Sequence, residues 1–204
     1  MKKKYWLILL IIILIGILIL FFYKNSVKNL KIGNNKNSQE IVDYILNISS
    51  YESKTTVTVT SNKNSNKYIL QQTYQAPNIC TQEVIEPSNI AGVKLENDGT
   101  NLKIENSNLN LETILENYSY LGDNCLDLHS FIEDYKQDSN SKFEEKDSEI
   151  LMKTNSNIEN IYIQEKILHV DKKTFNPTQM EIKDNKQKTT IYILYNEVKV
   201  NSTK

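Results

Sequence analysis

The chain has 204 residues, 24% of them charged, and a formal net charge of −1. That near-neutrality hides a split: four of the 24 basic residues lie within positions 1–24, and all 25 acidic residues lie beyond them. After residue 24, 20 lysines face 25 acids and no arginine occurs, which argues against nucleic-acid binding by phosphate neutralisation and against guanidinium clamps.

The first element is the charge-free run Tyr5–Tyr23, preceded by Lys2, Lys3 and Lys4 and interrupted only by Gly16. As a helix it would rise about 28 Å, close to the roughly 30 Å hydrocarbon core of a bilayer. Tyr5 and Trp6 at one end and Tyr23 at the other suit the two membrane interfaces. The run exceeds the ~7–15 apolar residues of a cleaved signal, and Phe21–Lys24 holds no small-x-small cleavage pattern. The expectation is therefore an uncleaved signal-anchor: residues 1–24 a membrane anchor, 25–37 a polar linker and 38–204 one extracytoplasmic domain. No cysteine lies near the end of the run to accept a lipid. The short N-terminal side and long C-terminal side favour a single-pass cell-membrane protein with its domain outside the cytosol, although lysines flank both ends.

Ser38 offers an N-cap to a helix over Gln39–Ser49, whose Ile41, Val42, Ile45, Leu46 and Ile48 make one apolar stripe. From Tyr51 the period changes to two. Tyr51–Thr60 and Lys67–Gln75 read as strands joined by the turn-forming SNKNSN. Further strands follow at Ile79–Ile85, Val93–Glu96 and Asn101–Glu105, the last two joined by Asn97-Asp98-Gly99-Thr100, the strongest hairpin signal in the chain. Leu109–Tyr120, with Leu111, Ile114, Leu115 and Tyr118, has helical spacing. A second helix capped by Asp123 or Asn124 would carry Cys125, Leu128, Ile132 and Tyr135 on one stripe. Strands return at Phe143–Lys153, Ile158–Asp171, Thr178–Asp184 and Thr189–Val200. The expected class is α+β: an N-terminal transmembrane helix, then a strongly curved antiparallel sheet (an open half-barrel) with two or three helices covering its concave face.

Little in this sequence argues for catalysis. His129 lies one helical turn after Cys125, but two ligands do not close a zinc site and no H-E-x-x-H pattern is present. His169 sits in a strand between Leu168 and Val170, as an outward polar position. With five glycines and no cluster among them, there is no phosphate loop, dinucleotide fingerprint or nucleophile elbow. No catalytic, cofactor-binding or metal-binding residue is assigned, and no cofactor is expected. The run Glu144, Glu145, Asp147 and Glu149 reads as a solvated strand edge. Cys80 and Cys125 suit an oxidising compartment as one disulfide, closing a loop worth roughly 3–5 kcal/mol; two buried thiols are the alternative. The twelve tyrosines read as core or groove lining, and a groove between sheet and helices would admit an acyl chain or a partner segment.

Three passages carry a family resemblance. YQAPNICTQEVIEPSNIAG is similar to the tyrosine–proline turn and glutamate–proline stretch of clostridial germination lipoproteins of the GerS-like group. VKLENDGTNLKIENSNLNLETILENYSYLGDNCLDLHSFIEDYK resembles that group's hairpin-then-helices segment, and HVDKKTFNPTQMEIKDN resembles the strand–turn–strand of LolA-like lipoprotein carriers. The resemblance covers roughly Ser38 to Val200. It implies a LolA-like fold and a non-catalytic protein of a spore-forming bacterium that binds and positions a partner in spore formation or germination, such as a cortex-processing amidase or another envelope protein. The alternative it implies is a lipid or lipoprotein carrier using the concave groove. One departure is plain: the lipid-modified cysteine of that group is missing, since both cysteines lie inside the domain.

Overall fold

A computed structural model describes residues 35–118 and 126–202. Contacts divide the chain between Gln39 and Glu40, and the whole sheet lies in the second unit. Helix α1 spans Asn35–Leu46. Strands β1 (Ile48–Thr60), β2 (Ser65–Gln75), β3 (Ile79–Glu86), β4 (Val93–Asn97), β5 (Leu102–Asn106) and β6 (Leu111–Leu115) follow. Helix α2 (Leu128–Gln137) precedes β7 (Lys142–Glu145), β8 (Glu149–Asn160), β9 (Ile163–Asp171), β10 (Pro177–Lys183) and β11 (Thr189–Ser202).

The eleven strands form one antiparallel sheet in the order β6-β5-β4-β3-β2-β1-β11-β10-β9-β8-β7. Two meanders therefore run outward from a central β1–β11 pair, and α2 lies in the connection from one edge to the other. The long central strands follow from residue choice: β1 alternates Tyr51, Ser53, Thr55, Val57 and Val59 on one face, and β-branched side chains pack well on a pleat. In register, Val57, Ile193, Met180, Leu168 and Met152 form one row across β1, β11, β10, β9 and β8, every one fully buried. Ile41, Val42 and Ile45 of α1 and Leu128, Phe131 and Ile132 of α2 join the same core. Both helices thus pack on one face of the sheet, called here the inner face.

The turns are set by short polar side chains. The Asp98 carboxylate accepts the Thr100 and Asn101 amides at 2.8 and 2.7 Å, and Gly99 takes φ +94, which lets β4 reverse into β5. Asp171 accepts the Lys173 and Thr174 amides at 3.0 and 2.8 Å and so closes the β9–β10 turn.

The architecture corrects the expected one. The fold is mostly β, an open sheet of eleven strands with two helices among the described residues, not a half-barrel under two or three helices. Among the described residues no helix is long and apolar enough to cross a membrane, and the run Tyr5–Tyr23 lies outside them. Within the expected helix over Leu109–Tyr120, Leu111–Leu115 form strand β6. The Asn106 side chain accepts the amides of Asn108 and Leu109, and Asn110 at φ 51 completes a reversal that lays Leu111–Leu115 back along β5. Leu111 and Leu115 satisfy period two as well as a helical spacing, so the pattern alone does not separate the two. The second helix starts later than expected, capped by Asp127 rather than Asp123 or Asn124, which lie outside the described residues. Phe143–Lys153 is a hairpin instead of one strand, reversed where the Lys146 amide meets the Glu149 carbonyl at 2.9 Å. The expected turn over Thr154–Asn157 falls inside β8.

Candidate functional site

The inner face is closed by α2, and its sequence explains how. Asp127 takes the extended N-cap conformation and accepts the Ser130 amide at 2.7 Å. Leu128, Phe131 and Ile132 are buried, while Ser130 and Asp134, one turn apart, share a second inward stripe. Lys166 of β9 rises to meet them. Its side chain is wholly buried, lying on the face of Leu168 and Val170, and its Nζ stands 2.8 Å from Ser130 Oγ and 2.7 Å from Asp134 Oδ2. Burial pushes the Asp127 carboxyl up to about 6, opposed by the Ser130 amide and by Lys166.

Beside this cluster His129 stacks on Tyr74, ring centroids 4.2 Å apart, and Tyr74 leans on Tyr51 at 5.6 Å. The Tyr74 hydroxyl donates to the Pro77 carbonyl at 3.1 Å. Burial lowers the pKa of His129, which keeps the ring neutral at physiological pH. Cys80 is buried, only 2% exposed, and as a thiol its pKa is raised by burial and by Asp127. Its candidate partner Cys125 lies outside the described residues. Such a thiol is a poor nucleophile, because thiolate is the reactive form.

On the outer face His169 is held between two carboxylates, Nδ1 at 3.0 Å from Glu149 and Nε2 at 3.5 Å from Glu181. It faces outward as its strand position requires, yet its neighbours leave it nearly buried. Three of the four acids of the run are paired: Glu144 meets Lys153 at 2.8 Å, Glu145 meets Lys172 and Glu149 meets His169. Among the described residues no group of three or more His, Cys, Asp or Glu side chains is placed to hold a metal ion.

Two open features bear on binding. At one end of the inner face, Val59, Ile163 and Ile191 together with Lys63, Asp184 and Lys188 line a cleft of about 550 Å³. At the far edge, all five residues of β6 are exposed, Leu111 at 61% and Ile114 at 56%. Sequence reasoning missed both the Lys166 cluster and this edge. A charged residue in phase with Leu168 and Val170 was the available signal for the first; the helical spacing of Leu111 to Tyr118 concealed the second.

Residues 2–203 match the family described as sporulation protein YdcC-like. None of the curated proteins matches by sequence. Among solved structures, an uncharacterised conserved protein from Thermus thermophilus superposes with a TM-score of 0.54 at 10% identity, covering 83% of this chain and 90% of that one. The structure of the CwlD amidase from Clostridioides difficile in complex with the GerS lipoprotein gives 0.52 at 24% identity, covering 81% and 95%. The LolA superfamily protein NE2245 from Nitrosomonas europaea gives 0.44 at 12% identity, covering 82% and 94%.

Proposed function

This chain belongs to the YdcC-like sporulation protein family, and from that premise we propose that it is a non-catalytic protein that binds and positions a protein partner in spore formation or germination. The observation that carries this reading is the contrast between its surfaces. The space between helices and sheet is filled by Phe131, Ile41, Ile45, Leu128 and the row from Val57 to Met152, whereas large apolar side chains stand exposed on β6. Exposed apolar edges of this kind are where other chains pair. A cell-wall amidase is the partner class we favour, because a fold similar to this one occurs in the structure of an amidase with a lipoprotein; another envelope protein fits the same reading. The protein works at the cell membrane with its domain on the extracytoplasmic side, a location supported by the charge-free run Tyr5–Tyr23 and the long chain after it.

A second reading, a carrier of acyl chains, is favoured by the cleft of about 550 Å³ with its aliphatic residues Val59, Ile163 and Ile191. It ranks below partner binding because the rest of the inner face is packed. A deletion strain tests the first reading: it should sporulate or germinate poorly, with altered cell-wall processing. Normal spores with normal walls would overturn it.

A further inference from the structure

The sheet has two edges of opposite character. Edge strand β7 is four residues of Lys142, Phe143, Glu144 and Glu145, short and largely charged, the kind of edge that resists further pairing. Edge strand β6, Leu111-Glu112-Thr113-Ile114-Leu115, has no lysine or proline and pairs with β5 over five consecutive positions without a bulge. Glu112 is the one charged residue on it.

Its two faces specify what would fit. On the inner side Leu115 lies opposite Leu102 and Leu111 opposite Asn106, on the face that also carries Leu95 and Ile104, whose own row ends at Thr113. On the outer side, charges run across the strands in register: Glu83, Lys94, Glu105, Glu112. Alternation of sign breaks at the last step, where two glutamates stand opposite each other. Lys103 bridges them, 2.7 Å from Glu105 and 3.0 Å from Glu112, and is shared between the two. Like charges directly across a sheet are destabilising, and a cation beyond Glu112 would restore the alternation.

We propose that β6 is the docking edge for an extended segment of a protein partner, which adds as a twelfth strand, sets apolar side chains over Leu111 and Leu115, and places a lysine or arginine beside Glu112. The inference rests on the partner-binding reading and names where and by what chemistry that partner is recognised. Backbone hydrogen bonds supply affinity, and the apolar and cationic positions supply selectivity.

The test uses the full chain in detergent and two short labelled peptides, one alternating valine with lysine and one alternating valine with glutamate. The lysine peptide should bind at least about tenfold more tightly than the glutamate peptide, and E112K should reverse that order. Because Glu112 is exposed, the variant should melt as the parent does, so a loss of binding is not a loss of fold. Equal binding of both peptides, or no effect of E112K, overturns the proposal. A photo-crosslinking residue at Thr113, compared with one at Leu194 on the outer face, separates the two layers of the argument in sporulating cells. Adducts at Thr113 that E112K abolishes support the edge. Adducts at Leu194 alone, or at neither position, overturn the edge and leave partner binding through another surface standing. A dimer that E112K dissolves would assign β6 to a second copy of the chain and contradict the partner strand.

Discussion

Lys166 Nζ and Asp134 Oδ2 face each other at 2.7 Å beneath α2, with the lysine side chain wholly buried. Removing one member of a buried pair strands the other charge, which typically costs about 3–5 kcal/mol, whereas replacing both by apolar groups of similar volume is often neutral. K166M should therefore destabilise the domain by that amount in urea unfolding, and K166M/D134L should recover most of it. If the double variant is as unstable as the single one, the pair is not what holds α2 to β9.

Asp127 gives the domain a pH dependence of unusual sign. Its folded pKa of about 6 lies above the ordinary value near 3.8, so the folded chain keeps a proton that the unfolded chain releases. Its contribution to stability is accordingly greatest below about pH 4 and is lost as pH rises through 6, by at most roughly 3 kcal/mol. Asparagine caps a helix about as well as aspartate. D127N should then show a flatter stability profile between pH 4 and 7, measured by thermal melting across the range. Identical profiles for parent and variant would place the titration elsewhere.

Cys80 is buried, and its thiol is further suppressed by the Asp127 carboxyl. In reduced protein it should react with iodoacetamide only under denaturing conditions, a result read by mass spectrometry of its peptide. Fast labelling of the native protein would contradict the burial. Peptide mapping without reductant, on protein taken from the envelope, determines whether Cys80 and Cys125 are joined there.

Local chemistry made much of the sheet legible. Asn97-Asp98-Gly99-Thr100 announces the β4–β5 hairpin because the turn is built by its own side chains, and the alternation from Tyr51 to Val59 announces β1 because its inner face is buried along its length. Where two periods fit the same residues, the sequence alone misled. Leu111, Ile114, Leu115 and Tyr118 satisfy a helix, and only the Asn106 and Asn110 reversal, whose effect depends on β5 lying alongside, makes them a strand. The turn that splits β7 from β8 was hidden in an acidic run, since Asp147-Ser148 looks like more solvated charge. The Lys166 cluster was illegible for a different reason: its partners lie on α2, 36 and 32 positions away along the chain, and pairing over that distance is a tertiary fact. The edge at β6 followed the same course, because a strand read as a helix has no edge to offer.

Partner binding is the central claim, and composition of the purified material tests it most directly. The tagged full chain, extracted gently from sporulating cells and weighed by native mass spectrometry, should carry a protein partner at stoichiometric occupancy and no bound lipid. A chain that instead carries one acyl lipid per copy and no protein would contradict the account and turn the cleft at Val59, Ile163 and Ile191 into the working site.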